Sequence, residues 1–292
     1  MSLSLSHRLL KGAIRFFEKV FKGYSNEFYL KIAAEVVNEL DLSYTVKTKN
    51  ASVTIKCLSE TVRIRARDML IREPDTLEWI DQFNGNDVFW DVGANIGVFT
   101  LYAAAEKRVK TVSFDPLPHN YHALVENIAL NNFTGLVSPY CIAISDDVGS
   151  SNLYVPDISN TAGGAGCPFG DNVDNYGESV ETKITIPALG YSIDRFIETF
   201  QPPFPTHLKI DIDGIQEKVI IGAKKTLRDE RLQSIMIELQ PNKIPFQKKA
   251  NEFILKELSE AGFERFKIVG ATQNMNDDPE NSVTNNFFQR KT

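Results

Sequence analysis

Apolar positions recur along this chain with two periods, and each change of period marks an element. Between residues 7 and 40, Leu9, Leu10, Ala13, Ile14, Phe17, Val20 and Phe21 fall at helical spacing, while Arg8, Lys11, Arg15, Lys19 and Lys22 occupy another stripe. This predicts an amphipathic helix, with a second beyond the break at residues 23 to 26. Alternation in TVKTKNASVTIKCL and TVRIRARD predicts two short strands between residues 45 and 68, and DTLEWIDQF predicts a helix opened by Asp75 after Pro74.

From residue 87 onward the two periods take turns. VFWDV, KTVSFD and LVSPYCIAIS read as strands, separated by helices over residues 96 to 106 and 118 to 131. THLKIDID and SIMIEL read as further strands, helices run through EKVIIGAKKTL and residues 247 to 261, and FKIVG and NFFQR read as closing strands. This order predicts an α/β fold with a doubly wound, mostly parallel Rossmann-like sheet over residues 74–292, behind a helical and β-hairpin extension over residues 1–73. Residues 157 to 179, rich in Gly, Asn, Asp and Ser, are expected to form a functional loop at the carboxyl edge of that sheet rather than a core element.

Composition narrows the partners. A chain of 292 residues with 42% hydrophobic content can bury a sizeable core, and a formal charge of −6 argues against coating nucleic acid. Small molecules or proteins are the expected partners. The three cysteines, Cys57, Cys141 and Cys167, form no C-x-x-C pair, so neither a disulfide framework nor a cysteine zinc site is suggested and a reducing, cytoplasmic setting is expected. Charges break every apolar run short of the ~18 residues of a membrane span. Residues 7 to 22 carry five basic residues and one acid, +4 with His7 neutral. Such a helix suits an anionic membrane surface, but a solvated face over a packed apolar face is the expectation.

The candidate chemistry begins in VFWDVGANIGVFTLYAA, residues 88 to 104, where an apolar strand ends at Asp91 and turns through Gly93, Asn95 and Gly97 into a helix. In an open parallel sheet this first strand-to-helix turn is the usual ligand site, and its glycines are expected to let a ligand approach the backbone. The spacing is G-x-x-x-G, with Asn95 where a dinucleotide fingerprint has its second glycine, so a pyrophosphate would be crowded. Asp115, 24 residues beyond Asp91, ends the next strand where a carboxylate suits ribose hydroxyls. A cofactor with a ribose, an ammonium and no phosphate fits these parts better than NAD, and S-adenosyl-L-methionine has that composition. The competing readings are an NAD-dependent oxidoreductase, a nonenzymatic nucleoside-binding module, or acids that only cap their helices.

With DVGANIG, FDP at 114 to 116, NIALNN at 127 to 132, AISDDVG at 143 to 149, YSIDRFI at 191 to 197, LKIDIDG at 208 to 214 and IMIELQP at 235 to 241, the chain resembles the FkbM-type methyltransferases, a family of class I S-adenosylmethionine-dependent enzymes. It departs from that pattern in FDP, where FEP is more usual, and at Asp213, where a glutamate is common. The resemblance implies that Asp91, Gly93, Ala94, Asn95 and Gly97 surround the methionine part of the cofactor. It likewise puts Asp115 and Pro116 at the ribose and Ala143, Ile144 and Ser145 at the adenine, with the hydroxyl of a sugar, glycan or natural product as methyl acceptor.

A hydroxyl nucleophile needs its proton removed, and the carboxyl edge of the predicted sheet gathers three acids, Asp211, Asp213 and Glu238. Asp211 is the strongest candidate for a direct role. The alternatives are a turn-orienting Asp211, a helix-capping Asp213 and a Glu238 paired with a base such as Lys209. Carboxylates without ligand spacing do not predict a required metal. His119, His122 and His207 read as surface or structural residues.

Overall fold

The computed structural model describes residues 3–23, 25–157, 162–212, 214–272 and 275–291. It divides into two compact units, residues 1–42 and 43–292. The first is a pair of helices, α1 (Leu3–Lys22) and α2 (Asn26–Glu39), the second opened by the Ser25 side chain accepting from the Phe28 amide. Phe17 and Phe21 of α1 meet Tyr29 and Phe28 of α2.

The second unit begins with an antiparallel hairpin, β1 (Ser43–Lys47) and β2 (Ser52–Lys56), followed by α3 (Glu60–Arg67) and α4 (Pro74–Ile80). The stretch TVKTKNASVTIKCL is thus two strands, whereas TVRIRARD, expected as a strand, is helical. Its alternation is overridden by local helix signals. Ser59 caps the Val62 amide, Arg63 pairs with Glu60 one turn back, and Val62 and Ala66, four apart, are the buried positions. Residues 43–73, expected in the extension, belong to the main unit. Val46, Val53, Ile55, Val62 and Ala66 share one core with Phe89 of the central sheet and Leu101 of the helix that follows it.

The alternating region supplies β3 (Val88–Val92), α5 (Val98–Lys107), β4 (Lys110–Phe114), α6 (Pro118–Leu130) and β5 (Val137–Tyr140). After it come β6 (Ala143–Ile144), β7 (Gly149–Val155), β8 (Ile184–Tyr191) and α7 (Ile193–Phe200). The chain closes with β9 (His207–Ile210), α8 (Gln216–Ile221), α9 (Lys224–Arg228), β10 (Ser234–Leu239), α10 (Pro245–Glu260), β11 (Phe263–Gly270) and β12 (Thr284–Arg290). Seven strands form one sheet in the order β11-β12-β10-β9-β3-β4-β5, in which only β12 runs against the rest, pairing antiparallel with both β10 and β11. This is the doubly wound, mostly parallel α/β sheet expected. Period-two alternation sorts its faces, Phe89 packing into one core and Trp90 and Val92 into the other. LVSPYCIAIS divides between sheets: β5 joins the large one and β6 a three-stranded sheet with β8 and β7. Strands β7 and β8 were not legible from the alternation. Pro187 sits in β8 where the strand pairs with β7 but is past its short contact with β6, so the missing N–H disrupts no ladder there.

Candidate active site at the carboxyl edge of the sheet

Strand β3 lies between β4 and β9, so chain direction through the sheet reverses there, and the crevice beyond its carboxyl end is the ligand position of an open α/β sheet. The turn after β3 is pinned by the Gly93 and Ala94 amides, which both donate to the Phe114 carbonyl at 2.9 Å. Gly93 has φ +89°, and a Cβ there would lie 1.9 Å from the Asp211 carbonyl oxygen. At Gly97, φ +91°, a Cβ would lie 2.5 Å from the Leu124 side chain. Both glycines therefore make room for the protein itself, one for the end of β9 and one for α6, rather than for a ligand as their spacing suggested. Asn95 also takes the left-handed region, φ 53°, which a short amide side chain tolerates.

A cavity of about 330 Å³ opens above this turn. It is lined by Gly93, Asn95, Asp115, Pro116, Ala143 and Ile144 together with Arg65, Arg72, Glu73, Asp211 and Glu238. Asp115 is 6% exposed and accepts from the Asn95 amide (2.9 Å), the Leu117 amide (2.9 Å) and the Asn120 side chain (3.3 Å). Burial outweighs these donors and pushes its carboxyl up to about 7. A carboxylate has about four acceptor positions, so Asp115 retains capacity toward the cavity.

Behind Asp211 lies a buried row of charges. Asp91 and Lys209 are cross-strand partners, and Asp211, two residues on, shares their face. The Lys209 ammonium, 1% exposed, is 2.6 Å from Asp211 Oδ2, 3.9 Å from Asp91 Oδ1 and 4.7 Å from the centre of the Phe99 ring. Burial opposes its charge, but the Asp211, Asp91 and Glu73 carboxylates overcome that and raise its proton affinity. Asp91 Oδ2 accepts from Thr100 at 2.6 Å, and burial raises its pKa against the pull of Lys209. Glu73, just ahead of α4, is 11% exposed at its side chain. Its Oε2 accepts from Asn285 (3.1 Å) and Thr76 (3.4 Å), while Oε1 faces the Arg72 guanidinium at 4.0 Å. Burial, and then the neighbouring Asp211 charge, push Glu73 up to about 7.

The expected site residues divide accordingly. Gly93, Asn95, Asp115, Pro116, Ala143, Ile144, Asp211 and Glu238 line the cavity. Asp91, fully buried, holds Lys209 from beneath, and Gly97 and Ala94 are turn and packing residues. Ser145 turns away, its hydroxyl on Asp146 and its amide on the Tyr191 carbonyl. Asp213 lies outside the described residues. His119 and His122 are exposed, and His207 stacks on Phe83 between Asp87 and Ser234 at the amino end of β9.

Arg65, Arg72 and Glu73 were missed because they come from α3 and the start of α4, read as a lead-in. Lys209 did carry a signal: a lysine between Leu208 and Ile210 in a strand buried on both faces needs a buried counter-charge. The Gly-rich loop is anchored at its start, with Ser59, Arg65, Asn95 and Asn120 side chains bonding the backbone of residues 162–164. Phe169 is buried against Leu153 and Val155, contrary to the expectation of a wholly peripheral loop, while Asn175 and Tyr176 reach the cavity.

Residues 91–265, more than half of the chain, match the Methyltransferase FkbM domain family. The chain is 25% identical over 212 residues to the hexuronic acid methyltransferase AglP of Haloferax volcanii, covering 72% of this chain and 77% of that protein. It is 38% identical over 79 residues to the 31-O-demethyl-FK506 methyltransferase FkbM of Streptomyces tacrolimicus, covering 26% and 30% of the two chains. Among solved structures, methyltransferase FkbM from Methylobacillus flagellatus KT is similar with a TM-score of 0.45 and 14% identity, over 71% of this chain and 44% of that one. On the family match, which spans the cofactor turn, the Asp115 edge and the Asp211 strand, this chain belongs to the FkbM methyltransferase family.

Proposed function

We propose that the cavity binds S-adenosyl-L-methionine and that the enzyme methylates a hydroxyl of a sugar, glycan or natural product. The observation that carries this is the cavity lining, in which Asp115 stands beside Pro116, Ala143 and Ile144 and is joined by Glu73, Asp211 and Glu238. Asp115, with Pro116, Ala143 and Ile144, suits a ribose and its base, and the other lining carboxylates suit a cationic methyl donor. Asn95, whose side chain bonds the Gly164 carbonyl at 2.7 Å, fills the space a pyrophosphate would need. The methyltransferase family match leaves the NAD-dependent oxidoreductase and the nonenzymatic module without support.

The cofactor supplies an electrophilic methyl group, and an in-line displacement asks the protein mainly for positioning. Glu73 and Asp211 divide the remaining work. Asp211 is tied by Oδ2 to the Lys209 ammonium, which fixes the position of its carboxylate at the cavity. Glu73, held by Asn285 and Thr76 through one oxygen, presents the other toward the acceptor's hydroxyl proton. The relative that acts on a hexuronic acid makes glucuronides the first acceptors to screen, followed by neutral glycosides and polyketide alcohols.

Asp115→Ala should weaken S-adenosylhomocysteine by about ten- to a hundredfold, the loss of a hydrogen bond to a charged group. Calorimetric titration, with NAD as the comparison ligand, reads this directly. Undiminished affinity in Asp115→Ala would remove the ribose assignment, and NAD binding tighter than S-adenosylhomocysteine would remove the cofactor.

Residues 170–179, beyond the anchored start of the loop, act as a lid over the acceptor. Hydrogen exchange there should slow when S-adenosylhomocysteine and a verified acceptor are both bound, while residues 162–164 change little. The reverse pattern, or no change at 170–179, rules the lid out.

A further inference from the structure

The helical pair of residues 1–42 has an apolar surface that its own packing leaves open. On a helical projection of α1 the apolar residues Leu9, Leu10, Ala13, Ile14, Phe16, Phe17, Val20 and Phe21 fall within a single arc, and the cations Lys11, Arg15, Lys19 and Lys22 fall together on another. Helix α2 takes one side of the apolar arc, through Phe17 and Phe21. The rest stays open: Leu9 is 59% exposed, Leu10 61%, Ile14 56% and Phe16 71%. Within the helical pair, α2 covers only the side of the arc that carries Phe17 and Phe21.

Charge decides what covers that arc. The four cations are exposed along α1, where the one acid, Glu18, is already paired with Lys22 at 2.6 Å. On α2 the charges are Glu27, Glu35 and Glu39 against Lys31. The excess of positive charge thus lies on α1, while α2, which also exposes Leu30, Val36 and Val37, carries an excess of acid. An aliphatic and aromatic arc bordered by lysine and arginine complements a bilayer interface with anionic headgroups, the apolar side chains entering the acyl boundary and the ammonium and guanidinium groups staying at headgroup level. No helix among the described residues is long and apolar enough to cross a membrane, so α1 would lie in the interface plane.

We infer that α1 is a peripheral membrane anchor, binding anionic bilayer surfaces through Leu9, Leu10, Ile14 and Phe16 and its flanking cations. The inference is independent of the methyl acceptor. It is tested by co-sedimenting the full-length protein with vesicles of phosphatidylcholine alone and of phosphatidylcholine with phosphatidylserine. The protein should partition at least about tenfold more strongly onto the anionic vesicles and be released as salt rises. The double variant Ile14→Glu with Phe16→Glu, and the triple variant Lys11→Glu, Arg15→Glu and Lys19→Glu, should each lose binding by at least about tenfold while binding S-adenosylhomocysteine like the unaltered protein. Equal partition onto both vesicle types, no partition onto either, or variants that bind unchanged would overturn the inference. So would concentration-dependent dimerisation abolished by Ile14→Glu with Phe16→Glu without vesicle binding, since a second copy would then cover the arc.

Discussion

Glu73→Gln should lower methyl transfer by about 10²-fold or more and remove its rise with pH near neutrality. Glu73 is buried and held at about 7, so a base at this position is charged only as pH passes through that value. Single-turnover rates of the unaltered enzyme, measured with a verified hydroxyl acceptor, should therefore climb between about pH 6 and 8 and then level. The same shift has a stability consequence of opposite direction. Folded Glu73 and Asp115 keep protons that the unfolded chain has released, so stability falls as pH rises from the ordinary carboxylate range to about 7 and is flat above it. Burial of the Glu73 charge accounts for about 3 kcal/mol of that fall. Glu73→Gln should accordingly raise the thermal midpoint at pH 8 while slowing turnover. Asp211→Asn should do the reverse to stability, lowering the midpoint near neutral pH because the buried Lys209 loses its 2.6 Å partner, a loss of about 3–5 kcal/mol for a broken buried pair. If the pH–rate limb survives in Glu73→Gln and vanishes in Asp211→Asn, the proton is taken by Asp211 instead.

Gly93→Ala should cripple the enzyme with the smallest side-chain change available. A Cβ would have to occupy a point 1.9 Å from the Asp211 carbonyl oxygen, and the backbone there, at φ +89°, disfavours any L side chain. Overpacking costs about 1–3 kcal/mol and the left-handed conformation about 1–2 more. Because relief requires the end of β9 to move, the Asp211 backbone is displaced along with the turn. A drop in thermal midpoint of about 5–15 °C and loss of S-adenosylhomocysteine binding are expected together. Gly149→Ala, where the added Cβ meets nothing within 4 Å, is the control and should behave as the unaltered protein. A Gly93→Ala protein that melts and binds normally would show that the turn can relax without β9.

Several features needed no structure because they are local. The switch between periods two and 3.6 marks β3, α5, β4, α6, β9 and β10, since strands buried on both faces must be apolar and their crossover helices amphipathic. Asp115 was legible as a cavity residue, and so was Asp211, because each ends an apolar strand and such ends face the crevice of a parallel sheet. Where local signals competed, the reading failed. In TVRIRARD the alternation suggested a strand, but the Ser59 cap and a buried pair four residues apart made a helix.

Tertiary structure alone decided the rest, because each remaining feature joins segments distant in the chain. The need for glycine at 93 comes from a carbonyl 118 positions later, at Asp211. Glu73 gains its raised proton affinity only when solvent is excluded and Asp211 arrives beside it. Lys209 is tolerable in the core because Asp91 stands opposite it in the neighbouring strand, a register that only the sheet provides. Whether the apolar arc of α1 is covered depends equally on what packs against it, and periodicity, which gives a helix its two faces, does not say what either face will meet.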